Sequence, residues 1–169
     1  MKKVKLWVLD QYLKFSVLSD FILGIAIFTT LYLLKHNISD FVSSNQENNY
    51  LYLISSNVSL AGFVIAALTI IITFKANTSY KKVEEFTKGT DLIFNTTIYP
   101  LIIKVFVIAI FEFIIVVLLL FITNVFSHKI DSYTLASVFI GFLSISLLTT
   151  FRVIAVLFFI IKSQIKSDE

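Results

Sequence analysis

The chain has 169 residues, of which 57% are hydrophobic and 15% charged, with a formal net charge of +3. Soluble domains run at roughly 45–50% apolar and about 25% charged, so this composition excludes an ordinary water-soluble enzyme. Its many aromatic residues exclude disorder, and the absence of Cys excludes disulfides, iron–sulfur clusters and thiol chemistry.

A helix needs about 20 mostly apolar residues to cross a hydrocarbon core roughly 30 Å thick. The first segment, 1–14, sets Leu6, Leu9 and Leu13 at helical spacing among Lys2, Lys3, Lys5 and Lys14. It reads as an amphipathic leader lying in the headgroup region. The apolar run 15–34 follows and ends at Lys35-His36-Asn37 with no small-x-small cleavage site, so it is expected as a retained span. A polar loop leads to a second helix over 51–74, then a connector over 75–99. There Tyr80, Val83 and Phe86 fall at helical spacing, so helix two is expected to run on and break near Gly89. Helices over 101–126 and 133–161 complete the chain, joined so tightly at 127–132 that they must be antiparallel neighbours.

The expected fold is therefore all-α: one membrane domain over 1–169, an antiparallel bundle of four transmembrane helices. Lys and Arg in short loops set orientation. Eleven basic residues fall with the termini and the 75–99 connector, and two, Lys35 and Lys129, fall on the other side. Both termini are thus expected in the cytoplasm of a cell whose inner membrane holds the chain. Lys75, Lys81, Lys82 and Lys88 form a basic cytoplasmic face. The positive charge then serves topology and anionic lipid rather than nucleic acid.

Helix two carries Ser55, Ser59, Gly62, Ala66, Thr69 and Thr73 at steps of four and three, one narrow stripe of small residues. Helix four carries a shorter version, Ser137, Gly141 and Ser144. Between lipid-immersed helices small faces supply packing by letting backbones approach. Packing within the chain is the first expectation, with a subunit contact or a water-lined face as alternatives. Asn57, beside the stripe, is expected to donate a hydrogen bond to another helix.

Helices three and four are each interrupted by one deep charge. Glu112 lies 11 residues past Leu101, about 16 Å, and Arg152 lies 9 residues before Ile161, about 13 Å. Opposite charges at one depth on antiparallel neighbours are expected to pair, because a lone charge in the membrane interior costs several kcal/mol. The pair either fixes helix register or serves gating, proton or ion passage; the remaining alternative is that Arg152 snorkels and leaves Glu112 alone. Asp20, shallow in helix one, is expected near the interface, with Lys14 or Lys104 as its partner.

No nucleotide-binding, hydrolase or metal-ligand spacing occurs, and the two histidines, His36 and His128, stand alone in the outer loops. No cofactor, metal or enzymatic activity is expected. The run Ser59-Leu60-Ala61-Gly62-Phe63-Val64-Ile65-Ala66-Ala67-Leu68-Thr69-Ile70, followed by Tyr80-Lys81-Lys82, resembles the second span of small four-helix membrane proteins of prokaryotic antiphage defence loci. The resemblance implies a membrane component that senses or damages the inner membrane, as a homo-oligomer with a soluble cytoplasmic partner. A non-transporting anchor or scaffold, and a small ion or solute transporter using Glu112, are the competing functions.

Overall fold

A computed structural model of the chain describes residues 16–34, 46–76 and 98–165. They form α1 (Ser16–Leu34), α2 (Gln46–Ala76), α3 (Ile98–Val125) and α4 (Ser132–Ile165), with a short 3-10 turn at Ser127–Lys129. Apolar stretches long enough to cross a membrane run over Asn48–Ala76 in α2, Tyr99–Val125 in α3 and Ser132–Ile161 in α4. The apolar stretch of α1, Leu18–Leu33, is shorter. The leader 1–14 and the connector beyond Ala76, with Lys81, Lys82 and Lys88, lie outside the described residues.

Two helix starts differ from the expected ones for physical reasons. α2 begins at Gln46 rather than Leu51. Its extra turn holds Tyr50, fully buried, whose hydroxyl donates to the Leu135 carbonyl of α4 at 2.8 Å. α3 begins at Ile98, taking Pro100 into its first turn. Proline fits there, because a first-turn N–H has no helical partner to lose.

Cross-helix contacts fix the directions. Asp20 meets Arg152, Gly24 lies against Gly141 and Ile145, and the Tyr133 hydroxyl donates to the Leu31 carbonyl. α1 and α4 are therefore antiparallel. Tyr50 meets Leu135 and Asn57 meets Ser146, so α2 runs parallel to α4. The tight turn makes α3 antiparallel to α4, giving an up-down-up-down bundle. In space α1 lies on α4, α4 on α3, and α3 on α2.

Between α1 and α4 the approach is close. A Cβ on Gly24 would stand 2.5 Å from Ile145 Cγ1, and one on Gly141 would stand 3.3 Å from the Gly24 carbonyl oxygen. Ser137 and Gly141 are buried here and Ser144 is half-buried. The small stripe of α4 thus packs within the chain, as small faces do in lipid.

The stripe of α2 does the opposite. Ser55, Ser59, Gly62, Ala66, Thr69 and Thr73 are all exposed, so the expectation that they pack within the chain is overturned. α2 turns a different seam inward: Tyr50, Leu53, Asn57, Leu60, Val64, Ala67 and Ile71, also at steps of three and four. Side-chain bulk explains the choice. The inward seam buries large aliphatic surface against Phe106, Phe113 and Val116 of α3, which dispersion rewards. The small stripe, half a turn away, has little to bury. Its hydroxyls on Ser59, Thr69 and Thr73 donate to carbonyls four residues earlier on the same helix, each at 2.9 Å. The outward face is thereby left smooth and without unmet donors at those three positions.

The core falls into two apolar clusters. One gathers Val64, Ile71, Ile102, Phe106, Ala109, Phe113, Val153 and Ile160, and the other gathers Tyr50, Leu53, Val116, Leu120, Leu135 and Ile145. Asn57, Ser146, Thr149 and Arg152 sit between them along α2 and α4, Glu112 lies within the first cluster's run on α3, and all are buried.

Candidate functional site

The polar layer takes Asp20 from α1, Asn57 from α2, Glu112 from α3 and three residues from α4. α4 contributes most, because Ser146, Thr149 and Arg152 recur at steps of three along its inward face. Each hydroxyl is satisfied locally: Ser146 approaches the Phe142 carbonyl at 2.9 Å, and Thr149 donates to the Ile145 carbonyl at 3.0 Å. That local satisfaction lets hydroxyls sit in an apolar bundle at low cost.

Arg152 is the hub. Its Nη1 donates to Asp20 Oδ2 of α1 at 2.6 Å, and its Nη2 donates to Glu112 Oε2 of α3. Asp20 is 0% exposed, Glu112 1% and Arg152 2%, so all three are withdrawn from the surface of the bundle. The guanidinium bridges two carboxylates instead of clasping one in a bidentate pair. Two buried atoms, Arg152 Nε and Glu112 Oε1, have no hydrogen-bond partner. Thr149 lies beside Glu112, one turn before Arg152 on α4.

The Glu112–Arg152 contact is the one anticipated from depth. Asp20 corrects the expectation: it is neither interfacial nor paired with Lys104, which is exposed, but sits fully buried on Arg152. α1 runs antiparallel to α4 and sets Asp20 level with Arg152, 13 residues before the end of α4 at Ile165. A sequence signal existed. Asp20 is the one charge between Ser16 and Leu34, and a guanidinium has two outward nitrogen pairs to fill.

No family model, curated protein or solved structure matches the chain.

A second polar contact joins α2 to α4. The Ser146 hydroxyl lies 2.8 Å from Asn57 Oδ1, while Asn57 Nδ2 donates to the Leu53 carbonyl at 2.8 Å. Asn57 is thus the acceptor across the helices, reversing its expected role, and spends its donor on its own helix. It also faces the core, opposite the small stripe.

At the far end, α4 is capped. Asp131 Oδ2 accepts from the Thr134 backbone N–H at 2.9 Å, and Oδ1 accepts from the Thr134 hydroxyl at 2.7 Å. This is the N-cap arrangement that satisfies an orphan donor of a first turn. The Thr134 backbone N–H, and after it the Thr134 hydroxyl, hold the Asp131 carboxyl below its ordinary range. Of the four lysines expected to form a basic face, Lys75 lies in the last turn of α2 and is half-buried.

Chemically, the cluster can bind charge and pin three helices together. Among the described residues, no three His, Cys, Asp or Glu side chains converge as a metal site would need.

Proposed function

We propose that the chain is a multi-pass inner-membrane protein that works as an assembly of several copies, a pore-forming or sensing component coupled to a soluble cytoplasmic partner. In this reading α1 is the fourth crossing, both termini and the 75–99 connector face the cytoplasm, and the lysines 75, 81, 82 and 88 meet the partner. The resemblance of 59–70 to antiphage membrane proteins supports a role in defence.

The observation that carries the proposal is the outward stripe of α2. A smooth face of small residues wastes contact area on lipid, whereas against a second helix it permits close backbone approach. The same device already joins α1 to α4 inside the chain. α2 has one seam for its own fold and, half a turn away, a second seam for a neighbour.

The test exploits a chain without native Cys. Single cysteines at Ser59 and at Ala66 should cross-link copies in the membrane, while one at the exposed Phe111 of α3 should not. Monomer alone in all three variants overturns the assembly. Liposomes loaded with the assembled protein and its partner, yet adding no ion conductance, overturn the pore and leave the sensor.

The burial of every charged group of the cluster inside a single chain favours a second reading, a non-transporting scaffold. It predicts that the neutral triple variant Asp20→Asn, Glu112→Gln and Arg152→Gln, which strands no charge, keeps whatever activity the partner confers.

A further inference from the structure

Between α2 and α4 the bundle is loosely joined. The two helices meet at the Asn57–Ser146 contact, but α2 packs mainly on α3, and α4 mainly on α1 and α3. About one turn beyond that contact, along both helices, lies a half-open cavity of about 280 Å³. Val64 of α2, Phe113 of α3 and Val153 of α4 form its back, each 2% exposed or less. Phe63, 54% exposed, and Ile154, 52% exposed, stand at its mouth with Thr150.

The lining decides what the cavity accepts. A buried water needs two to four polar partners. The one polar side chain of the lining is Thr150, whose hydroxyl donates to the Ser146 carbonyl at 2.7 Å. A polar or charged ligand fares no better, since Asp20, Glu112 and Arg152 do not line the cavity. Apolar cavities of this kind stay dry and take up hydrocarbon instead.

Depth and width narrow the class further. The apolar stretches Asn48–Ala76 of α2 and Tyr99–Val125 of α3 have their midpoints at residues 62 and 112, beside Val64 and Phe113. At the middle of a bilayer lie the methyl ends of acyl chains, beyond the reach of headgroups. A second helix is too wide, since it is about 10 Å across and one turn of it fills roughly 400 Å³. The small stripe of α2 also points elsewhere: Phe63 stands about 100° round the helix from Gly62, so a neighbour seated on the stripe leaves the mouth open to lipid.

We infer that this cavity binds the methyl end of one phospholipid acyl chain, laid between α2 and α4 against Phe113. The inference rests on the membrane placement proposed above, and not on the assembly or the partner. It gives the sensing role an input. The bound tail touches both helices about one turn from Asn57 and Ser146 and so supports their contact, whereas a tail too short to reach the cavity leaves that contact unsupported.

Photolabelling tests this. The full chain is reconstituted into phosphatidylcholine vesicles containing a small share of phosphatidylcholine with a diazirine near the methyl end of one tail. After irradiation, adducts are located by mass spectrometry. Three phenylalanines share one chemistry: Phe63 at the mouth, and Phe111 and Phe151, which are 62% and 72% exposed and each two residues from the cavity's back. Lipid acting only as solvent labels the two more exposed rings more heavily. A bound tail labels Phe63 several-fold more than either, and Thr150→Phe, which fills the cavity, removes that excess without changing the other two. Labelling of Phe63 no greater than that of Phe111 and Phe151 overturns the proposal, as does an excess that Thr150→Phe leaves intact. If Thr150→Phe does not fold, a lipid with its diazirine beside the headgroup decides in the wild type: the excess must vanish, and an excess that persists refutes a tail end at mid-membrane. A chain that does not float with the vesicles refutes the membrane placement and this inference together, whereas a floating chain with an unlabelled cavity refutes this inference alone.

Discussion

Removing Arg152 should damage this protein far more than removing either carboxylate. Arg152→Leu keeps an apolar side chain of moderate size at a position 2% exposed, but deletes the donors to both Asp20 and Glu112. A hydrogen bond to a charged group contributes about 1.5–3 kcal/mol, and two are lost. Breaking a buried pair so that a charge is stranded costs about 3–5 kcal/mol. We therefore expect Arg152→Leu to lose about 3–5 kcal/mol, roughly a hundredfold or more in the folding constant. Asp20→Asn and Glu112→Gln each leave Arg152 one full partner and an amide oxygen as acceptor, so about 1–2 kcal/mol is expected of each. The assay is unfolding by an anionic detergent in mixed micelles, followed by protease resistance across the titration. An Arg152→Leu variant no weaker than the two carboxylate variants would show that the guanidinium is not the hub. A simple swap, Glu112→Arg with Arg152→Glu, should not restore stability, because it sets a carboxylate at position 152 against Asp20. Recovery to wild-type stability in that double variant would refute the three-way cluster.

Other expectations follow from the remaining contacts. Gly24→Ala places a Cβ 2.5 Å from Ile145 Cγ1 and should cost about 1–3 kcal/mol by overpacking. Adding Ile145→Ala should recover part of that loss, and additive losses in the same detergent titration would mean the two helices do not meet there. Asn57→Ala should cost about 1 kcal/mol, and Ser146→Ala little more once Asn57 is gone, read from a double-mutant cycle. Asp131→Ala should lower the thermal midpoint at neutral pH, by loss of the cap. Because the native Asp131 carboxyl titrates below its unfolded range, its contribution is complete above that range and fades as pH falls through the lowered native value. The difference between wild type and Asp131→Ala should therefore close in acid, and a difference constant with pH would contradict the cap.

Much of the architecture was legible in the order of the residues. Helix type and approximate limits come from long apolar runs with a single Pro and four Gly, and such runs admit few other structures. The Glu112–Arg152 contact followed from depth counting, since a tight turn forces α3 and α4 to be antiparallel and rise per residue converts position into height. Asp20 escaped that reasoning because no tight turn joins helix one to α4, which leaves its height relative to α4 open. The turn of α2 before Leu51 escaped too, because Gln46, Glu47, Asn48 and Asn49 read as loop until the burial of Tyr50 against α4 makes the helix worthwhile.

Composition and periodicity by themselves dictated the helices, their apolar character and the presence of opposite charges at matching heights, because these depend on local spacing along one rod. Which side of each rod turns inward was settled only when the rods packed. α2 and α4 both carry small-residue stripes, yet α4 spends Gly141 on Gly24 while α2 leaves Gly62 in open space. That outcome depends on competition between the faces of one helix for the surfaces its neighbours present, a property of the assembled bundle and not of any segment within it.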